Sequence, residues 1–177
     1  GAFMADAMSR TGDSIGTLLI VPAAGVTHAS SGIGEAYLAG IPMLVISGGI
    51  HTQSGHRYQL HEMDQHTLLS PITKGRFHIK SHAEVIPMLY AAYQLAMRGE
   101  PGPVFIELPY NIGNFLGEVD AMPSFAGLQS HSEFDLDLVE QAAQLLTQAK
   151  QVGFFLGWGA VDCQAELIEL AELLNAP

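Results

Sequence analysis

At 177 residues and 48% hydrophobic content, the chain is long enough for one full α/β domain, or for a truncated domain plus part of another. Eighteen acidic residues against seven basic ones leave a formal charge of −11, a field that repels phosphate backbones and argues against a nucleic-acid partner. The longest apolar runs, such as LLIVPAAGV, are too short to span a bilayer and no charged leader precedes them, so a soluble protein without a membrane partner is expected.

The elements follow in chain order. GAFMADAMSR places Phe3, Met4, Ala7 and Met8 on one side of a helix, and TGDS breaks it before the buried strand GTLLIVP. Ile33, Ala36, Tyr37 and Gly40 recur at helical spacing, with Gly40 closing that helix before Pro42 and the strand MLVIS. A polar, histidine-rich loop runs from Gly48 to about Ser70. TKGRFHIK is a short strand, and Ser81 with Glu84 forms a capping box for a helix carrying Val85, Leu89, Ala92 and Ala96. Gly99 stops that helix, and PVFIELP is one more buried strand. Continuous apolar strands separated by helices predict an α/β fold, a parallel sheet with helices on both faces in three layers.

Periodicity is lost from about 112 to 134, where Gly, Pro, Ser and acidic residues dominate, and this stretch reads as an interdomain linker. From 135 to 177, Leu138, Ala142, Leu145 and Ala149 line one helical face, VGFFLGWG is a strand entering a glycine turn, and AELIELAELL is a further helix. This reads as the truncated start of a second domain, since some forty residues cannot bury such a strand on both faces. The single Cys163 has no internal disulfide partner, which fits a reducing cytoplasm and a small buried side chain.

The stretch THASSGIGEA, residues 27–36, invites comparison with the nicotinamide-binding turn of short-chain dehydrogenases. Such a turn needs its glycines directly after a strand, so that the pyrophosphate meets the N-terminus of the next helix. Here the apolar run ends at Val21, His28 stands where the first glycine belongs, and no tyrosine has a lysine four positions on. The dehydrogenase reading fails.

A longer correspondence holds. GAFMADAMSRTG, VPAAGVTHASSGIGEAYLAGIPMLVISGG, HEMDQ, SPITK and RGEPGPVFIELPYN follow in the order and spacing of the pyrimidine-binding domain of thiamine-diphosphate enzymes. The chain resembles the acetolactate synthase and benzoylformate decarboxylase group over residues 1–111, and again over 135–177, which resemble the opening of that group's Rossmann-like central domain. THASSGIGEA then looks like the turn and helix after a loop that faces the pyrimidine ring.

The resemblance implies a chemistry. The thiazolium carbon of thiamine diphosphate loses a proton, attacks the carbonyl of a small 2-oxo acid, and takes up the electrons left as carbon dioxide departs. A buried glutamate that protonates the aminopyrimidine normally stands two residues before the glycine that aligns with Gly1, so the chain begins just after it. The diphosphate and its Mg2+ would be held outside this chain, by another domain. The G-D-G signature for that metal is not met at Gly12-Asp13-Ser14, where no asparagine follows at the required distance.

Site residues carry over position by position. The family's loop T-S-G-P-G-A-T-N aligns with VPAAGVTH, which puts Val21, Ala24, Gly25 and His28 against the cofactor's pyrimidine end. Ala23 and Ala24 replace a Gly-Pro pair, and His28 replaces a frequent asparagine. His28 offers the ring a donor or a proton relay, or is a helix-start histidine satisfied by backbone. The family's Gln-Glu pair aligns with His61 and Glu62. His61 is expected to face cofactor or substrate as a general acid or base, and Glu62 either orients it or is a surface carboxylate.

Histidines 51, 56, 61 and 66 recur every five residues, which on a helix rotates successive side chains by about 140°, so no metal site is expected from them. Gly157-Trp158-Gly159 falls where related central domains sometimes hold a nucleotide such as FAD or ADP, although packing is the better explanation of a single glycine turn. The expected whole is a fragment, inactive alone, of a 2-oxo-acid decarboxylase or carboligase that works as a homodimer or tetramer assembled through the pyrimidine domain. The alternative is a non-catalytic α/β assembly or regulatory module derived from the same fold.

Overall fold

A computed structural model of the chain describes residues 1–128 and 135–177. The chain forms two compact units, Gly1–Gln129 and Ser130–Pro177.

The first unit is built on four strands: β1 (Gly16–Ile20), β2 (Met43–Gly49), β3 (Gly75–His78) and β4 (Pro103–Pro109). All pair in parallel, in the order β1-β2-β4-β3. Alternation along the strands separates two cores. Leu18, Met43, Val45 and Phe105 face the helices α1 (Ala2–Thr11) and α2 (Ala24–Leu38), and pack on Ala2, Ala5, Val26, Ile33 and Ala36. Leu44, Val104 and Ile106 face α4 (Val85–Met97), against Ala92 and Ala96. Both faces of the central strands are thereby dry, which is why β2 and β4 read as unbroken apolar runs and why the expected three-layer arrangement forms. Small residues let the layers approach. At Gly16 a Cβ would overlap the carbonyl of Ala5, so α1 could not lie on β1 with any other residue there.

Four shorter pieces complete this unit: α3 (Gln65–Leu69) inside the histidine-rich loop, 3-10 turns at Ser70–Ile72 and His82–Glu84, and α5 (Tyr110–Asn114) directly after β4. The expected capping box does not form. The His82–Glu84 turn brings Glu84 to the start of α4 rather than one turn inside it, and its Oε2 accepts from the Lys80 N–H at 2.8 Å while Ser81 makes no side-chain cap.

One expectation about the chain's divisions is corrected. Residues 112–128 belong to the first unit: the Phe115 carbonyl lies 2.9 Å from His82 Nε2, and Phe125 packs on the rings of Tyr90 and Tyr93 at 5.0 and 5.5 Å. Of the expected linker, residues 129–134 lie outside the described residues.

The second unit contains α6 (Leu136–Gln148), capped by Asp135 through the N–H groups of Asp137 and Leu138, and α7 (Gln164–Leu174). The expected strand VGFFLGWG does not form. Among the described residues of this unit no extended segment runs beside it to close a ladder, and Phe155 is fully exposed at 102%. Gly157 leads into a 3-10 turn at Trp158–Cys163 instead of a strand–turn–helix, and Cys163 is exposed rather than buried.

Candidate functional site

Parallel α/β sheets bind ligands beyond the carboxyl ends of their strands, because the loops there leave the sheet in different directions. In the first unit those ends carry both a cleft and a polar row.

The cleft encloses about 800 Å³. Leu19, Ile46 and Leu108, at the ends of β1, β2 and β4, give it an apolar floor, and His51, His61 and Tyr110 stand among the polar groups lining it. The His51 ring stacks on Tyr110 with centroids 6.4 Å apart and meets Phe115 edge-on at 5.7 Å. The loop is closed locally by Gln59, whose Oε1 accepts from the His51 N–H at 3.1 Å and whose Nε2 donates to the His51 carbonyl at 3.0 Å. An apolar floor with a few directed polar groups suits a flat heteroaromatic ring.

The polar row follows from register. Ser47 pairs with Glu107, and Glu107 with His78, so three side chains point to the same face across β2, β4 and β3. Gln65, buried to 2% exposure at the start of α3, ties the row together. Its Nε2 donates to Glu107 Oε2 at 3.1 Å and to the Gly48 carbonyl at 3.0 Å, and its Oε1 accepts from Ser47 Oγ at 3.0 Å and from the Ala23 N–H at 3.1 Å. His66, the next residue on α3, lies edge-on to Phe105 at 5.2 Å, with Nε2 3.4 Å from Glu107 Oε2. Burial holds His66 below the usual histidine range, against the opposing pull of Glu107; His78 and Arg76 lower it further and Asp64 raises it.

The anchoring of Ala23 has a conformational consequence. Ala23 adopts φ 55°, ψ −88°, close to the strained γ-turn conformation, just before α2. Ala23→Gly is expected to raise stability by about 1 kcal/mol, since glycine removes a strain of about 1–3 kcal/mol at an entropic cost of about 0.5–1. Chemical denaturation reads this directly, and a lower midpoint would show that the turn carries no strain.

Of the predicted site residues, His61 lines the cleft, and Val21, Ala24, Gly25, His28 and Glu62 line neither feature. The His61 backbone has φ 65°. Val21 is 52% exposed, and Ala24 and His28 are exposed on the first turns of α2. Gly25 is half-buried beside Val21, whose Cγ1 would stand 2.7 Å from a Cβ at that position. Residues 27–36 are helical throughout, so THASSGIGEA is not a turn followed by a helix: the turn lies earlier, at Pro22–Ala23, and His28 sits within α2. Glu62 is exposed, and its Oε2 accepts from the Gln59 N–H at 2.8 Å, closing the loop rather than holding His61. Gln65, Ser47 and Glu107 escaped the sequence reading, the only signal being polar residues within otherwise apolar strand ends.

Comparison with known proteins bears on the same segment. Residues 1–68 match the family profile described as thiamine pyrophosphate enzyme, N-terminal TPP binding domain. The large subunit of acetolactate synthase isozyme 3 of Escherichia coli is 31% identical over 98% of this chain, and that of isozyme 1 is 28% identical over 99%. Residues 1–68 thus match the N-terminal domain of the thiamine-pyrophosphate enzymes, and nearly the whole chain is similar to acetolactate synthase large subunits. A crystal structure described as a thiamin diphosphate-dependent enzyme from Mycobacterium smegmatis superposes with a TM-score of 0.86 and 25% identity over 99% of this chain, confirming the parallel α/β fold. The chain spans 31% of the length of these acetolactate synthase subunits and 34% of the superposed chain. In the alignment that the resemblance implies, the strained Ala23 stands where the group's loop carries the first glycine of its Gly-Pro-Gly run, a residue free of the Cβ penalty at positive φ. No helix among the described residues is long and apolar enough to cross a membrane.

Proposed function

We propose that this chain supplies the pyrimidine-facing wall of a thiamine-diphosphate site in an acetolactate synthase-like enzyme that decarboxylates a 2-oxo acid, joins the product to a second carbonyl, or does both. The observation that carries the reading is the open cleft at the strand ends of β1, β2 and β4, beside the turn into α2, where Val21, Ala24 and His28 reach solvent. When bound, thiamine diphosphate supplies the nucleophilic carbon and the electron sink. This chain's residues do the rest on their side of the cofactor. Leu19, Ile46 and Leu108 take the ring's apolar face and exclude water from it. His61 presents an imidazole to the cleft, a ring with nitrogens that donate or accept a hydrogen bond there.

The residues around the cleft fit the ring and offer no diphosphate clamp, so the diphosphate and Mg2+ fall to a second domain. Exposed apolar side chains around the same loops, Tyr58 at 88% and Leu60 at 83%, support a second subunit covering the cleft in a homodimer or tetramer. The turn at Gly157–Gly159 lacks a preceding strand, and the residues there do not fit a nucleotide site for FAD or ADP. A cytoplasmic setting accords with the exposed thiol of Cys163.

Calorimetry and turnover test the reading together. The 177-residue chain alone should give no saturable heat with thiamine diphosphate and Mg2+. The protein that carries this chain together with a diphosphate-binding domain should bind both and release carbon dioxide from pyruvate or another small 2-oxo acid. His61→Ala in that protein should lower kcat by about 10²–10⁴. Tight binding by the isolated chain overturns the two-domain site. Binding without turnover across a panel of 2-oxo acids favours a non-catalytic assembly module instead.

A further inference from the structure

We propose that His66, His78 and Glu107 form a site for a divalent transition-metal ion of the zinc type, distinct from the cleft and independent of the proposed function. None of the three lines the cleft. The parallel register sets His78 beside Glu107, and α3 brings His66 over them from the helical layer.

The distances favour a metal over a hydrogen-bonded triad. His66 Nε2 lies 3.4 Å from Glu107 Oε2, and His78 Nδ1 lies 3.5 Å from Glu107 Oε1. Both exceed the ordinary N–H···O range of about 2.7–3.2 Å. Each is close to the ligand-to-ligand edge of a tetrahedron around zinc, about 3.3–3.4 Å for bonds of about 2.0–2.1 Å, with the two rings set against different oxygens of the same carboxylate. One ligand atom from each residue lies within 4.8 Å of the others, so ring and carboxylate rotations about an ion would draw all three into its coordination sphere.

Unmet polar capacity points the same way. His66 Nε2 is buried and has no hydrogen-bond partner, a state that native structures rarely leave uncompensated. Glu107 is a carboxylate at 8% exposure whose hydrogen-bond donor is the neutral amide of Gln65. A cation between the rings would satisfy the imidazole lone pair and offset the buried negative charge. Gln65 would then orient the ligating carboxylate, being itself fixed by Ser47 and the Gly48 carbonyl, as outer partners do in established metal sites. Two imidazoles and one carboxylate suit zinc rather than magnesium or calcium, which require oxygen ligands. His78, with a side chain 36% exposed, leaves a route for entry and a fourth position for water.

The test titrates the metal-free 177-residue chain with Zn2+ by calorimetry and with Co2+ by visible absorption. One Zn2+ per chain should bind with micromolar or tighter affinity. His66→Gln and His78→Gln should each weaken it tenfold or more. His56→Gln should leave it unchanged, which separates this site from the exposed histidines of the cleft loop. Co2+ should give the intense visible band of a four-coordinate site, a readout that needs no variant. Absence of saturable binding, a weak octahedral cobalt spectrum, loss of binding in His56→Gln, or wild-type affinity in both His66→Gln and His78→Gln would each overturn the proposal.

Discussion

Phe105→Ala should lower the unfolding free energy of the first unit by about 3–5 kcal/mol, seen as an earlier denaturation midpoint with an unchanged slope. Phe105 has no exposed surface and sits on β4, flanked by Val45 of β2 and Arg76 of β3 in register. Its ring fills the layer between the sheet and α1 with α2, and carries the edge of His66 at 5.2 Å. Truncation leaves a cavity that neither strand can close, because β2 is held between β1 and β4 and β3 is held by its ladder to β4. Leu19, at 76% exposure, gives the contrast: its loss to alanine should stay within about 0.5 kcal/mol. If the two substitutions cost the same, the face of the sheet described as core would not be one.

The fold was legible where one periodicity dominated. GTLLI, MLVIS and PVFIELP read as buried parallel strands because each is a short apolar run and helical patterns alternate with them along the chain. Legibility ended where an element depends on neighbours or on exact register. VGFFLGWG has strand composition yet forms no ladder among the described residues of its unit, where the Phe154 N–H donates to the Pro177 carbonyl at 3.3 Å without a strand beside it, and composition cannot report a missing partner. THASS reads as a turn because Ser and Thr favour turns, but Val26, Ile33 and Ala36 bury a continuous helical stripe and packing overrides that preference. His61 could be placed at the cleft through resemblance to a known loop. The meeting of His66, His78 and Glu107 could not, because it arises from the pairing of β3 with β4 and from the seat of a five-residue helix, none of which leaves a spacing in the chain.

Gln65→Ala should have the second large effect, and one that reaches the site. A single buried amide satisfies four groups: the Ser47 hydroxyl, the Gly48 carbonyl, the Glu107 carboxylate and the Ala23 N–H. Each group left buried and unmet costs about 1–3 kcal/mol, and with partial relaxation the sum should be about 3–5 kcal/mol. A loss below about 1 kcal/mol would mean that water replaces the amide without penalty. The functional part of the prediction concerns Ala23. If the Gln65 amide is what holds that residue in its strained turn, the strain should vanish with the anchor. Ala23→Gly should then stabilise the wild-type background by about 1 kcal/mol and the Gln65→Ala background by close to nothing, a coupling that a double-mutant cycle isolates. In the protein that carries this chain, the same loss of anchoring should weaken thiamine-diphosphate binding tenfold or more, because the turn then no longer presents Val21 and Ala24 in one fixed geometry. Additive effects in the cycle would instead separate the amide network from the loop, leaving Gln65 a support for Glu107 alone.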